Sequence, residues 1–292
     1  MGTAVAAARM SRIVEIPVAG GPYALTAGPD GAMWVTLVHS GEVARVTGDG
    51  NLDVYPVAPQ SKPSIIVAGP DGALWFTRSG DDRIGRISVD GALADVELRS
   101  GSAPFGLVVG PDGALWFTAM TSGVVGRIDV DGVVTEVAAP GGTPSMIAAG
   151  PDGALWFTMN QANAIGRLVP SGDLRVREVP TPRAGPVGIA ATHDDAVWFT
   201  EIRAGKLGRI PVAEAMQELE LPGKPHTVIA NPTGGVWVSL WGSDQIAGVS
   251  ADGDVTVIDL PSGSEPHGLA IGPDGALWAA LEAGYVMRLP TV

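Results

Sequence analysis

Apolar and polar residues alternate along this chain in short bursts, each too brief for a helix and most of them closed by a turn-forming cluster. One stretch shows the unit. Phe105–Val109 reads as strand A and Pro111-Asp112-Gly113 as a turn, because Pro fixes φ and Gly accepts backbone angles that other residues resist. Leu115–Ala119 reads as strand B, Val125–Val130 as strand C, Asp131-Gly132 as a second turn and Val133–Ala138 as strand D. Other A strands (ALTAG, IIVAG, MIAAG) are rich in small and β-branched residues, which suits a crowded position beside a central axis.

The unit recurs. GPDGAMWVT at Gly28–Thr36 returns as GPDGALWFT from Gly69, Gly110 and Gly150, then more weakly as ATHDDAVWFT, ANPTGGVWVS and IGPDGALWAA. Its tryptophans, Trp34, Trp75, Trp116, Trp156, Trp198, Trp237 and Trp278, stand 39 to 42 residues apart. A period near 40 with four strands per unit predicts an all-β fold, a seven-bladed β-propeller with four antiparallel strands in each blade. The last unit stops after its third strand, Tyr285–Leu289, while Ile13–Val18 (IVEIPV) reads as a D strand without a blade. Residues 12–18 are therefore expected to complete blade 7, removing the open edges and making blade 7 a neighbour of blade 1. Residues 1–10 are expected to be a flexible leader and 11–292 a single propeller domain.

Repeats within one chain supply their own control. Positions kept in every blade serve the scaffold, as do the Trp series and the Gly-Arg pairs at Arg86, Arg127, Arg167 and Arg209. The residue after the proline that opens each A strand does vary: Tyr23, Ser64, Phe105, Ser145, Val187, His226 and His267. These seven are expected to ring one mouth of the central channel, with the polar members in blades 6, 7 and 1. Antiparallel pairing sets His267 opposite about Glu282 and His226 beside Trp241, the one Trp outside the series. Strand alternation gives Glu265 the same face as His267. No other blade carries a carboxylate at either position. His39 falls on the same face, beside the cluster rather than in it, and His193 lies in a turn at the opposite face.

Composition narrows the chemistry. With no cysteine, thiol nucleophiles, disulfides and thiolate metal sites are excluded, and the missing disulfides agree with a cytoplasmic location. A net charge of −13 with no Lys/Arg cluster argues against a nucleic-acid partner. No apolar run reaches membrane-spanning length. There is no GxSxG elbow, and Ser64 and Ser145 lie blades away from both rim histidines, which disfavours a Ser–His nucleophile. Carboxylates beside an imidazole suit a hard divalent ion held by oxygen, with the imidazole left as a base for an activated α-proton.

The repeat WFT…N-x-IGR, as in Trp156–Arg167, occurs here with GPY at Gly21–Tyr23, KPH at Lys224–His226 and EPHG at Glu265–Gly268. In that combination the chain resembles the virginiamycin B lyase family over its whole length beyond the first residues. The resemblance implies an Mg²⁺-dependent carbon–oxygen lyase that opens the lactone of type B streptogramin cyclic depsipeptides by elimination and so confers antibiotic resistance. A closed propeller without open edges is expected to be a monomer. The resemblance also implies His267 as the catalytic acid/base and Glu265 and Glu282 as the carboxylates around Mg²⁺. Tyr23, His226 and Trp241 become substrate-binding residues. The chain departs from the family pattern at WVSLW in blade 6, at WAALE in blade 7 and at Ala213–Gln217 in blade 5, all positions that bear on the substrate's perimeter. Two other readings stand beside this one: a propeller hydrolase of another small lactone, and an interaction module without chemistry.

Overall fold

The computed structural model describes residues 13–129, 131–211 and 215–290. The expected leader, residue 12 of the closing segment, Val130 of the expected strand C, and Ala213 and Glu214 of the blade 5 turn lie outside them. Seven four-stranded antiparallel sheets form a ring, each in the order A-B-C-D for blades 1 to 6. Blade 3 comprises Pro104–Val109, Leu115–Ala119, Val124–Ile128 and Val134–Ala138, within a residue or two of the strands read from the sequence. Among the described residues no helix is long and apolar enough to cross a membrane.

Blade 7 closes the ring. Its strands Pro266–Ile271, Leu277–Leu281 and Tyr285–Leu289 are joined by Val14–Pro17, which pairs antiparallel with the third strand from Val14↔Arg288 to Pro17↔Tyr285. Ile16 and Val18 are buried against Leu37 of blade 1 and Trp278 and Val286 of blade 7, so the closing strand is also part of the core at the seam. Its pairing takes up the open edge of the third strand, and its buried residue anchors it to the core.

Two recurring devices hold the blades. In the PDG turn the aspartate bridges two scaffold residues: Asp112 Oδ1 accepts the Trp116 indole N–H at 2.9 Å and Oδ2 the Arg127 Nε–H at 2.7 Å. The same bridge forms at Asp30, Asp71 and Asp152. The Gly-Arg glycine has its own reason, since a Cβ at Gly126 would lie 2.1 Å from the Phe117 ring. The second device links blade to blade. A hydroxyl on strand B donates to the carbonyl of the rim residue in the following blade: Thr36 to Ser64 at 2.6 Å, Thr77 to Phe105 at 2.8 Å, Thr158 to Val187 at 2.6 Å, Thr200 to His226 at 2.7 Å and Ser239 to His267 at 2.8 Å. The variable rim residues are thus mounted on a fixed backbone.

Candidate active site

Each A strand begins with a register irregularity. In blade 7 Pro266 pairs with Leu281 and Leu269 with Ala279, and the shift between them frees His267 from the ladder. The ring leans inward over the channel. It stacks on Tyr23 of blade 1 with centroids 4.7 Å apart, meets His226 of blade 6 edge-on at 4.7 Å, and stands 5.9 Å from Trp241. Tyr23 also reaches His226 at 6.1 Å and Phe105 of blade 3 at 6.3 Å, so its ring extends across the axis. Glu282 follows strand B of blade 7, and its Oε2 lies against His267 Nε2. Neither ring nitrogen of His267 makes an aligned hydrogen bond, although both are buried. The indole N–H of Trp241 is likewise buried without a partner. Unsatisfied polar atoms on a rim mark a place built to receive a ligand's polar groups.

The electrostatics follow from burial. His267 is pushed down to about 4, by burial first and then by His39 nearby. His226 is pushed down to about 3, by burial and then by His267, with Glu282 opposing. Both imidazoles are thereby neutral at neutral pH, and a neutral ring can accept a proton. Burial, aided by the Glu282 charge, lifts the Tyr23 phenol well above its ordinary value, so that it keeps its proton and can donate.

Two sequence expectations change here. Glu265 was expected on the face of His267 by alternation, but it precedes the strand in the left-handed region, at φ 51°, where alternation does not apply. Lys62 and Ala103 take the same conformation before their prolines, so it belongs to the scaffold. Glu265 is exposed, its N–H held by Asp244 Oδ1 at 2.9 Å and its carbonyl taking the Glu282 N–H at 3.1 Å. No hydrogen bond or ion pair joins its carboxylate to His267 or Glu282 among the described residues. Trp241, expected beside His226, stands in a short 3₁₀ turn, Trp241–Ser243, with its ring against His267. The residue under-read from sequence is His39, whose Nε2 lies 2.6 Å from Glu282 Oε1. Its signal was available, because the corresponding residues are Gly80, Thr121, Gln161, Arg203, Gly242 and Ala283.

Among the described residues no three His, Asp or Glu side chains are grouped as a metal cage. Two carboxylates lie nearest the cluster. Glu282 offers a carboxylate to the cluster, and Glu265 is its backbone-paired neighbour on an open rim. Mg²⁺ takes one or two carboxylates and keeps several waters, so it asks no more of a protein than this.

The match to known proteins is extensive. Residues 11–289 fit the model of the virginiamycin B lyase family. Over 281 residues the chain is 73% identical to virginiamycin B lyase of Mycolicibacterium smegmatis, covering 96% of this chain and 100% of that one. Selenomethionine-substituted virginiamycin B lyase from Staphylococcus aureus superposes with a TM-score of 0.91 at 34% identity, covering 96% of this chain and 99% of that one. A catalytically inactive histidine-to-alanine variant of the Staphylococcus aureus enzyme with quinupristin superposes with a TM-score of 0.90 at 33% identity, with the same coverage. Since the likeness runs from the closing strand through the last strand of blade 7, this chain belongs to the virginiamycin B lyase family.

Proposed function

We propose that this chain is a lyase that linearises type B streptogramin cyclic depsipeptides by elimination at the lactone ester. The observation that carries the reading is the gathering of His267, Glu282, His226, Tyr23 and Trp241, from three blades, on one rim. His267 takes the proton from the carbon α to the activated carbonyl. The C–H electron pair becomes the Cα=Cβ bond as the Cβ–O bond breaks, and the ester departs as a carboxylate. A buried neutral imidazole suits this step, and a positioned base contributes about 10²–10⁴-fold. Tyr23 and His226 orient the substrate around His267, and Trp241 offers an aromatic face and a free N–H. Glu282 and Glu265 would hold Mg²⁺, which when bound polarises a substrate carbonyl and makes the α-proton more acidic. The relatives' names and the inactivating histidine substitution in the quinupristin-bound structure support the reading.

Elimination adds no water, so incubation with quinupristin and Mg²⁺ should yield a linear product of unchanged mass. A product heavier by one water means hydrolysis and overturns the proposal. His267→Ala should lower kcat by about 10²–10⁴ with unfolding unchanged. EDTA should abolish turnover and added Mg²⁺ restore it; turnover indifferent to EDTA removes the metal.

A further inference from the structure

We propose that His39 is a positioning residue for this reaction, one that fixes the Glu282 carboxylate so that its second oxygen meets His267. The inference rests on the proposed lyase reading. Glu282 is shared by the two rings: Oε1 lies 2.6 Å from His39 Nε2, and Oε2 lies against His267 Nε2. A carboxylate oxygen accepts, so the His39 ring donates its N–H and the carboxylate is turned about a fixed point. The bond joins blade 1 to blade 7 across the seam that the closing strand creates.

The His39 ring is held before it meets Glu282. The backbone N–H groups of His39 and Ser40 donate to the Gly20 carbonyl at 3.0 and 3.3 Å, and that of Val38 to the Gly21 carbonyl at 3.0 Å. The imidazole then lies against Gly21. A Cβ there would sit 1.9 Å from His39 Cδ2 and 2.8 Å from Nε2. In blade 5 the corresponding pair repeats the arrangement, with Arg203 over Gly185, so the seat belongs to the scaffold and its occupant is what differs. Gly21 opens the GPY segment that carries Tyr23, and the same three residues therefore set both the phenol and the floor under His39.

Energetically the bond is not a stability device. The His39 side chain is 61% exposed, and exposed pairs of this kind contribute little to folding. Its effect is orientational, and partners that orient a ligating carboxylate matter by roughly 10–100-fold. Rotation of Glu282 would lift Oε2 from His267 and would change the direction in which the carboxylate faces the substrate.

The test compares wild type, His39→Ala and His39→Gln, the last of which can place a donor near the position of Nε2. With quinupristin, His39→Ala should lower kcat by about 10–100-fold with KM within about twofold and thermal unfolding unchanged, and His39→Gln should recover most of the loss. Independently of turnover, the ¹⁵N resonances of the His267 ring in metal-free, substrate-free protein should move in His39→Ala and return toward wild type in His39→Gln. A wild-type kcat in His39→Ala together with unmoved His267 resonances overturns the inference. So does a loss that His39→Gln leaves unrepaired. If wild type fails to convert quinupristin, the lyase reading falls, and the resonances still decide whether His39 orients Glu282.

Discussion

Glu201 ends strand B of blade 5 with its carboxyl fully buried and neither oxygen hydrogen-bonded. Five other blades place Leu37, Ala119, Met159, Leu240 and Leu281 there, and blade 2 has Arg78, which is paired with Asp81 and Asp95. Burial, with the Glu218 charge adding and Lys206 opposing, lifts Glu201 to about 7. A carboxyl raised above its unfolded value takes up a proton on folding. Its penalty is absent below about 4.5, grows as pH rises and is complete above about 7. Glu201→Met should therefore stabilise the protein by about 1–3 kcal/mol at pH 8, and by less at pH 5. Thermal unfolding at the two pH values checks this, and an equal gain at both would contradict it. At this level the sequence was informative wherever a residue broke its column. His267, His226 and Tyr23 stood out as breaks, and Glu201 and His39 were breaks as well, though their surroundings could not be read from columns alone.

Strands carry the next layer. Ser239 joins strand B of blade 6 to strand A of blade 7, accepting the Thr227 N–H at 2.9 Å and donating to the His267 carbonyl at 2.8 Å. Every blade before it has Thr in this place, whereas blade 7 has Ala280. Ser239→Ala should strand two backbone groups, cost about 1–3 kcal/mol in urea denaturation, and lower kcat more than it raises KM, because His267 loses its mounting. An unchanged kcat would detach this strut from the site. The strands themselves were legible within a residue or two, since each blade buries the same faces. The register shift between Pro266 and Leu269 was not. The same shift follows the opening proline of every A strand, and hydrophobic alternation carries no trace of it.

The ring as a whole decides whether a site exists. His39 and Glu282 are 243 residues apart, and Tyr23 meets His226 and His267 where blade 1 packs on blade 7, the blade that Val14–Pro17 completes. Ile16 is the buried residue of that closing strand. Ile16→Ala should cost about 2–4 kcal/mol and should lower turnover in step with stability as denaturant opens the seam. Activity that outlasts the loss of the closing strand would show that the rim residues do not need the ring closed.

Blade number, strand order, closure by the amino-terminal strand and the identity of most rim residues follow from repetition alone, because each blade satisfies the same local demands and advertises them at a regular interval. The direction of Glu265, the seat of Trp241 and the hold of His39 on Glu282 depend on backbone irregularities and on contacts across the seam. Such contacts join segments with no sequence period in common, so they come into being only when the ring is closed and the side chains compete for one small space.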